Sequence, residues 1–153
     1  MINIKSLRHI AIVVDNLEKM LDFYQNTLGF HLKKRFFMSG DDFEKGVGVK
    51  ESSANVVHLE IPNSSITLEL QEYSPKLKRE ENLSKANYNG FRHIAFLVEG
   101  IENIYNELKA KGINFVSKPI LVTQPENVKG VKFVYFKDIE GNIIELSELP
   151  KNN

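Results

Sequence analysis

The chain repeats itself, and that repeat constrains its fold more than any other feature. Residues 8–24 read RHIAIVVDNLEKMLDFY and residues 92–108 read RHIAFLVEGIENIYNEL. The two histidines, His9 and His93, lie 84 residues apart (93 minus 9). Arg-His-Ile-Ala is identical in both copies, and Asp15 is matched by Glu99. Leu17, Met20, Leu21 and Tyr24 stand against Ile101, Ile104, Tyr105 and Leu108. Each set has the i, i+3, i+4, i+7 spacing of one helix face. The module ends repeat as well: ITLELQE at 66–72 aligns with NIIELSE at 142–148, at an offset of 76 (145 minus 69). The second module is therefore eight residues shorter between its ends (84 minus 76), a difference that loops absorb most easily. A chain of this kind is expected to build one supersecondary unit twice.

The periodicities predict the order βαβββ in each module, an α+β fold. In the first, strands are expected at 5–14, 29–38, 54–61 and 65–73, with a helix at 17–27. Residues 39–53 are polar and glycine-containing, and read as a loop with room for a short helical turn. Pro62-Asn63-Ser64 marks a turn between the last two strands. Residues 74–90 read as a polar linker with room for a partly helical lid. In the second module, strands are expected at 91–98, 113–117, 130–137 and 142–149. A helix is expected at 101–111, ended by Gly112, and a loop at 118–129, which holds Pro119 and Pro125. Asp138 is expected to shape the turn into the last strand. The domain limits read as 1–153, with modules at 5–73 and 91–149 joined by the 74–90 linker.

Composition narrows the function classes. Twenty basic residues balance twenty acidic ones, which argues against nucleic acid as the main partner. There is no cysteine, so thiolate zinc sites, iron–sulfur clusters and disulfides are excluded. The start has no apolar segment of a secretory signal, and no apolar run approaches the ~18–20 residues that span a bilayer. The expectation is a cytoplasmic protein acting on a small molecule. Gly46-Val-Gly48 lacks the third glycine of the dinucleotide fingerprint, and no GxSxG is present.

Alternation along a strand sends residues i and i+2 to one face. His9 then shares a face with Leu7, Ala11 and Val13, and His93 with Ala95 and Leu97. In both copies alanine leaves room beside the imidazole. Glu69 shares a face with Thr67 and Gln71, and Glu145 with Ile143 and Ser147. Each carboxylate sits mid-strand in an apolar stretch, where it needs a cationic partner if buried. Two imidazoles and two carboxylates suit Ni²⁺, Co²⁺, Zn²⁺, Fe²⁺ or Mn²⁺. The residues alone leave two readings open: a metal site built by convergence of both modules, or strand sequence preserved by duplication with no site. His31, at a strand start after Gly29-Phe30, and His58, in a strand with no counterpart in the second module, read as structural or surface groups.

At RHIAIVVDNLEKMLDFYQNTLGF, ITLELQEY, FRHIAFLVEGIENIYNELKAKGINF and FKDIEGNIIELSE the chain resembles the vicinal oxygen chelate superfamily. That superfamily includes glyoxalase I, methylmalonyl-CoA epimerase, extradiol dioxygenases and bleomycin-resistance proteins. The resemblance covers about residues 5–149. It implies paired βαβββ modules around a curved, barrel-like cleft, with one divalent metal ion held by His9, Glu69, His93 and Glu145. It also implies a glyoxalase I-like isomerase or lyase, acting on a small α-hydroxycarbonyl or thioester-like compound through a metal-stabilised enediolate. Glu69 or Glu145 would be the general base, with Glu145 favoured. The alternatives within the resemblance are an epimerase of the methylmalonyl-CoA type, an Fe(II) extradiol dioxygenase, and a ligand-sequestering protein without catalysis. Homodimers are common in that superfamily, so a homodimer is expected. The 39–53 and 74–90 segments are the expected substrate-facing parts.

Overall fold

The structure, a computed structural model, describes residues 2–151. Residues 1, 152 and 153 of the expected 1–153 domain lie outside the described residues. The chain divides into two compact units, one ending at Lys78 and one beginning at Arg79.

The first unit carries β1 (His9–Val13), α1 (Leu17–Asp22), β2 (His31–Ser39), α2 (Asp41–Val47), β3 (Ser53–Glu60) and β4 (Thr67–Ser74). Its four-stranded sheet runs β1-β4-β3-β2. β1 lies parallel to β4, and the other neighbours are antiparallel. One face of the sheet is apolar: Val57, Leu59, Leu68 and Leu70 are buried, together with Leu17, Met20 and Tyr24 of the helical segment. Helix α1 starts where Asn16 accepts a hydrogen bond from the Lys19 amide at 3.0 Å, satisfying a donor that the first turn leaves open. Glu72 of β4 accepts from the Leu17 amide, also at 3.0 Å. The expected helix 17–27 does not stay α to its end: Phe23–Thr27 widens into a π turn with Phe23 and Tyr24 buried. Gly29, at φ +74°, reverses the chain into β2.

Residues 39–53 are more ordered than a loop. Gly40 (φ +86°) and Gly48 (φ +71°) bracket α2. Phe43 of this helix packs with Ala54, Val56, Phe36 and Tyr73, and its ring stacks on Tyr73 at 5.8 Å. Helix α2 thus covers one end of the sheet face opposite to α1.

The second unit carries β5 (His93–Leu97), α3 (Ile101–Ala110), β6 (Ile120–Leu121), β7 (Lys132–Lys137) and β8 (Ile143–Glu148), in the order β5-β8-β7-β6. β5 is parallel to β8, as β1 is to β4. Val134, Phe136, Ile144 and Leu146 are buried with Ile101, Tyr105 and Leu108 of α3. Glu148 accepts from the amides of Gly100 (2.7 Å) and Ile101 (3.3 Å). It does for α3 what Glu72 does for α1. The expected strand at 113–117 is not formed. Phe115 makes one isolated bridge to Phe136 and packs between Tyr105 and Phe136. The edge strand is Ile120–Leu121 instead, inside the expected 118–129 loop. Pro119 has no N–H to give a ladder, so pairing begins only after it. The 74–90 segment holds a single 3₁₀ turn at Glu81–Ser84.

Candidate functional site

The parallel pairing of each unit's first and last strands builds the local chemistry. In the first unit Ala11 lies opposite Glu69 and His9 opposite Thr67. In the second, Ala95 lies opposite Glu145 and His93 opposite Ile143. The same register therefore sets a histidine beside a glutamate twice. His93 Nε2 lies 3.2 Å from Glu145 Oε2, and His9 Nε2 lies 3.9 Å from Glu69 Oε1. An alanine opposite each carboxylate keeps the space beside the imidazole open.

The two pairs differ in their surroundings. Glu69 is buried at 7% exposure, and both its oxygens are engaged. Gln71 Nε2 donates to Oε1 at 2.6 Å, and His58 Nε2 makes a very short contact with Oε2. His58 is itself buried at 6% exposure, with the Phe36 ring edge-on at 5.3 Å. Of its expected roles, structural or surface, burial rules out the surface one. His58 lies opposite Glu69 in the β3–β4 ladder, so it belongs to the site face. Counting outward from the Pro62-Asn63-Ser64 turn would set His58 opposite Leu68; the ladder pairs it with Glu69 because β3 ends at Glu60 and β4 begins only at Thr67. One donor atom from each of His9, His58 and Glu69 lies within 4.8 Å of the other two.

Tyr135 takes the corresponding place in the second unit, opposite Glu145 in the β7–β8 ladder. Its ring is 5.2 Å from that of His93. Burial, with the charge and hydrogen bond of Glu145, pushes the Tyr135 phenol above its usual value. The Tyr73 phenol is raised by burial and by the charge of Glu69. His31, at the start of β2, is exposed and outside both groups. Asp138 shapes the turn ahead of β8, accepting from the amides of Glu140 (3.0 Å) and Asn142 (2.8 Å).

A divalent ion fits the first unit's donors. His9 Nδ1 is buried and has no hydrogen-bond partner among the described residues, although a buried ring nitrogen ordinarily finds one. Imidazole and carboxylate are the donor types that first-row divalent metals take. No helix among the described residues is long and apolar enough to cross a membrane.

Comparison with known proteins places this geometry. The Glyoxalase/Bleomycin resistance protein/Dioxygenase superfamily matches residues 6–146. The mitochondrial methylmalonyl-CoA epimerase of Homo sapiens is 28% identical over 146 residues, covering 95% of this chain and 75% of the relative. A 4-hydroxyphenylpyruvate dioxygenase from Aspergillus fumigatus is 30% identical over 108 residues, 69% of this chain. The chain spans about a quarter of that dioxygenase's length, 25%. Among solved structures, a glyoxalase family protein from Bacillus cereus superposes with a TM-score of 0.79 at 24% identity, covering 98% of this chain and 99% of that one. The fold is therefore the α+β glyoxalase-like fold.

Proposed function

Because the chain belongs to the glyoxalase, bleomycin resistance protein and dioxygenase superfamily, we propose that it is a metal-dependent isomerase or lyase. In this reading it removes a proton from the carbon beside a carbonyl, in a small α-hydroxycarbonyl or thioester substrate. The observation that carries the reading is the duplicated pairing: a histidine and a glutamate on adjacent parallel strands, in the same register, in each unit. A relative that epimerises an acyl-CoA thioester, matched along nearly the whole chain, supports the substrate class.

The proposed metal donors are His9, Glu69, His93 and Glu145, and the ion is one of Ni²⁺, Co²⁺, Zn²⁺, Mn²⁺ or Fe²⁺. Once bound, such an ion supplies Lewis-acid stabilisation of negative charge developing on the substrate's oxygens. Glu145 is the proposed general base. Glu69 is held on both oxygens by protein groups. Glu145 is more open, with a side chain 16% exposed against 9% for Glu69. A base must be free to reach substrate and take up its proton. Helix α2, on the same sheet face as Glu69 and His58, is the proposed substrate-facing element. A cytoplasmic homodimer completes the reading, tested by light scattering that returns twice the chain mass.

The experiment is deuterium exchange in heavy water, with the metal-loaded protein and either methylmalonyl-CoA or a hemithioacetal of methylglyoxal. Deuterium at the carbon next to the carbonyl is expected, and Glu145→Gln should bind metal yet exchange at least about a hundredfold more slowly. Metal-loaded protein that exchanges neither compound would sink the isomerase reading. A second reading, an Fe(II) dioxygenase, is favoured by the dioxygenase relatives. Oxygen uptake by the iron-loaded protein with 4-hydroxyphenylpyruvate or a catechol would move it first.

A further inference from the structure

We propose that His58 is a metal donor, so that His9, His58 and Glu69 give the first unit a set of two imidazoles and one carboxylate of its own. The inference rests on the metal-dependent reading above and adds a donor to it. Three observations carry it. His9, His58 and Glu69 each offer a donor atom within 4.8 Å of the others. Two of the three, His58 and Glu69, are buried and bonded to each other, so their donor atoms are held together on the site face. The buried His9 Nδ1 has no hydrogen-bond partner among the described residues.

Comparison between the units sharpens this. His58 and Tyr135 hold the same ladder position, opposite the glutamate of their own unit. Both units therefore carry an aromatic ring at this place, an imidazole in the first and a phenol in the second. Imidazole is a common ligand of divalent transition metals. The position opposite the carboxylate is thus a donor position in the first unit, and the arrangement of two histidines with one carboxylate is one that Fe²⁺ and its neighbours accept with open positions left over.

The competing role for His58 is to orient Glu69 through their hydrogen bond. A group that only orients a ligand changes metal affinity about 10–100-fold when lost. The test uses the full chain, stripped of metal and titrated with Co²⁺ and with Zn²⁺. Co²⁺ visible absorption gives the ligand field, and X-ray absorption of the Zn²⁺ form counts imidazoles. His58→Gln retains a hydrogen-bonding group toward Glu69, and His58→Ala removes it. The expected result is that both variants bind Co²⁺ more than a hundredfold more weakly, with an altered visible spectrum and one imidazole fewer on Zn²⁺. Apo forms that still unfold in one cooperative transition, with the parent's far-UV circular dichroism below it, separate this from misfolding. An unchanged Co²⁺ spectrum and imidazole count in His58→Gln would overturn the proposal while leaving the metal-dependent reading intact. A parent chain that takes up neither ion would overturn both.

Discussion

Glu69 and Glu145 occupy matching places in the two units but keep different company, and the difference is measurable. Glu69 is clamped by His58 and Gln71. Replacing it with leucine strips His58 and Gln71 of their acceptor, and destabilisation of about 2–4 kcal/mol is expected in urea unfolding. Glu145→Leu, at a more exposed carboxylate with fewer partners, should cost less than half of that. At Asp138, substitution by alanine removes acceptors for the Glu140 and Asn142 amides and for the Asn142 side chain. A loss of about 1–3 kcal/mol is expected by the same measurement. The repeat made His9, Glu69, His93 and Glu145 legible in the sequence, because each appears twice. His58 escaped that logic because the second unit has Tyr135 in its place. A search for recurring residue types passes over a position where the residue type changed.

Among the elements, the last strand of each unit also serves a helix. Lys76 donates to Glu72 and the Leu17 amide donates to it as well, and together they hold its carboxyl below the usual glutamate range. A carboxylate with a depressed value adds stability at neutral pH and loses it as pH falls through that lowered value. Glu72→Gln should therefore lower the melting temperature at pH 7, and the gap to the parent should close below about pH 4. A gap that persists unchanged down to pH 2 would mean that charge plays no part. Sequence periodicity located α1 and α3, because their apolar faces follow a 3.6-residue repeat. It misplaced the edge strand at Ile120–Leu121. Two residues are too few to show alternation, and the apolar run at 113–117 that resembled a strand is a packing contact for Phe115.

For the molecule as a whole, metal and stability should be linked. An ion that binds only the folded chain stabilises it by about 2.7 kcal/mol at a free concentration of 100 times its dissociation constant. Addition of the preferred ion should raise the melting temperature by several degrees, and a chelator should reverse the shift. Protons compete with metal for its donors, so the gain should shrink as the medium is acidified. Scanning calorimetry with and without chelator checks this, and a transition indifferent to every divalent ion would count against the metal. The α+β class was legible because the duplicated blocks, 8–24 with 92–108 and 66–72 with 142–148, open and close each module. The chemistry within the class was less so, because one fold hosts many reactions.

Glu69 and Glu72 are three residues apart, as are Glu145 and Glu148. An odd spacing in a strand places the members of each pair on opposite sides of the sheet. One glutamate of each pair serves the site face, and the other reaches the amides at the start of a helix. A slip of a single residue in β4 or β8 would exchange these faces, turning leucines toward the site and carboxylates toward the apolar layer. The two strands therefore read in one frame only. A scan of one-residue deletions should find β4 and β8 far less forgiving than 74–90, with activity and folding lost in the same variants. A lineage that keeps this fold is free to alter its loops, but it cannot change the reading frame of its two final strands.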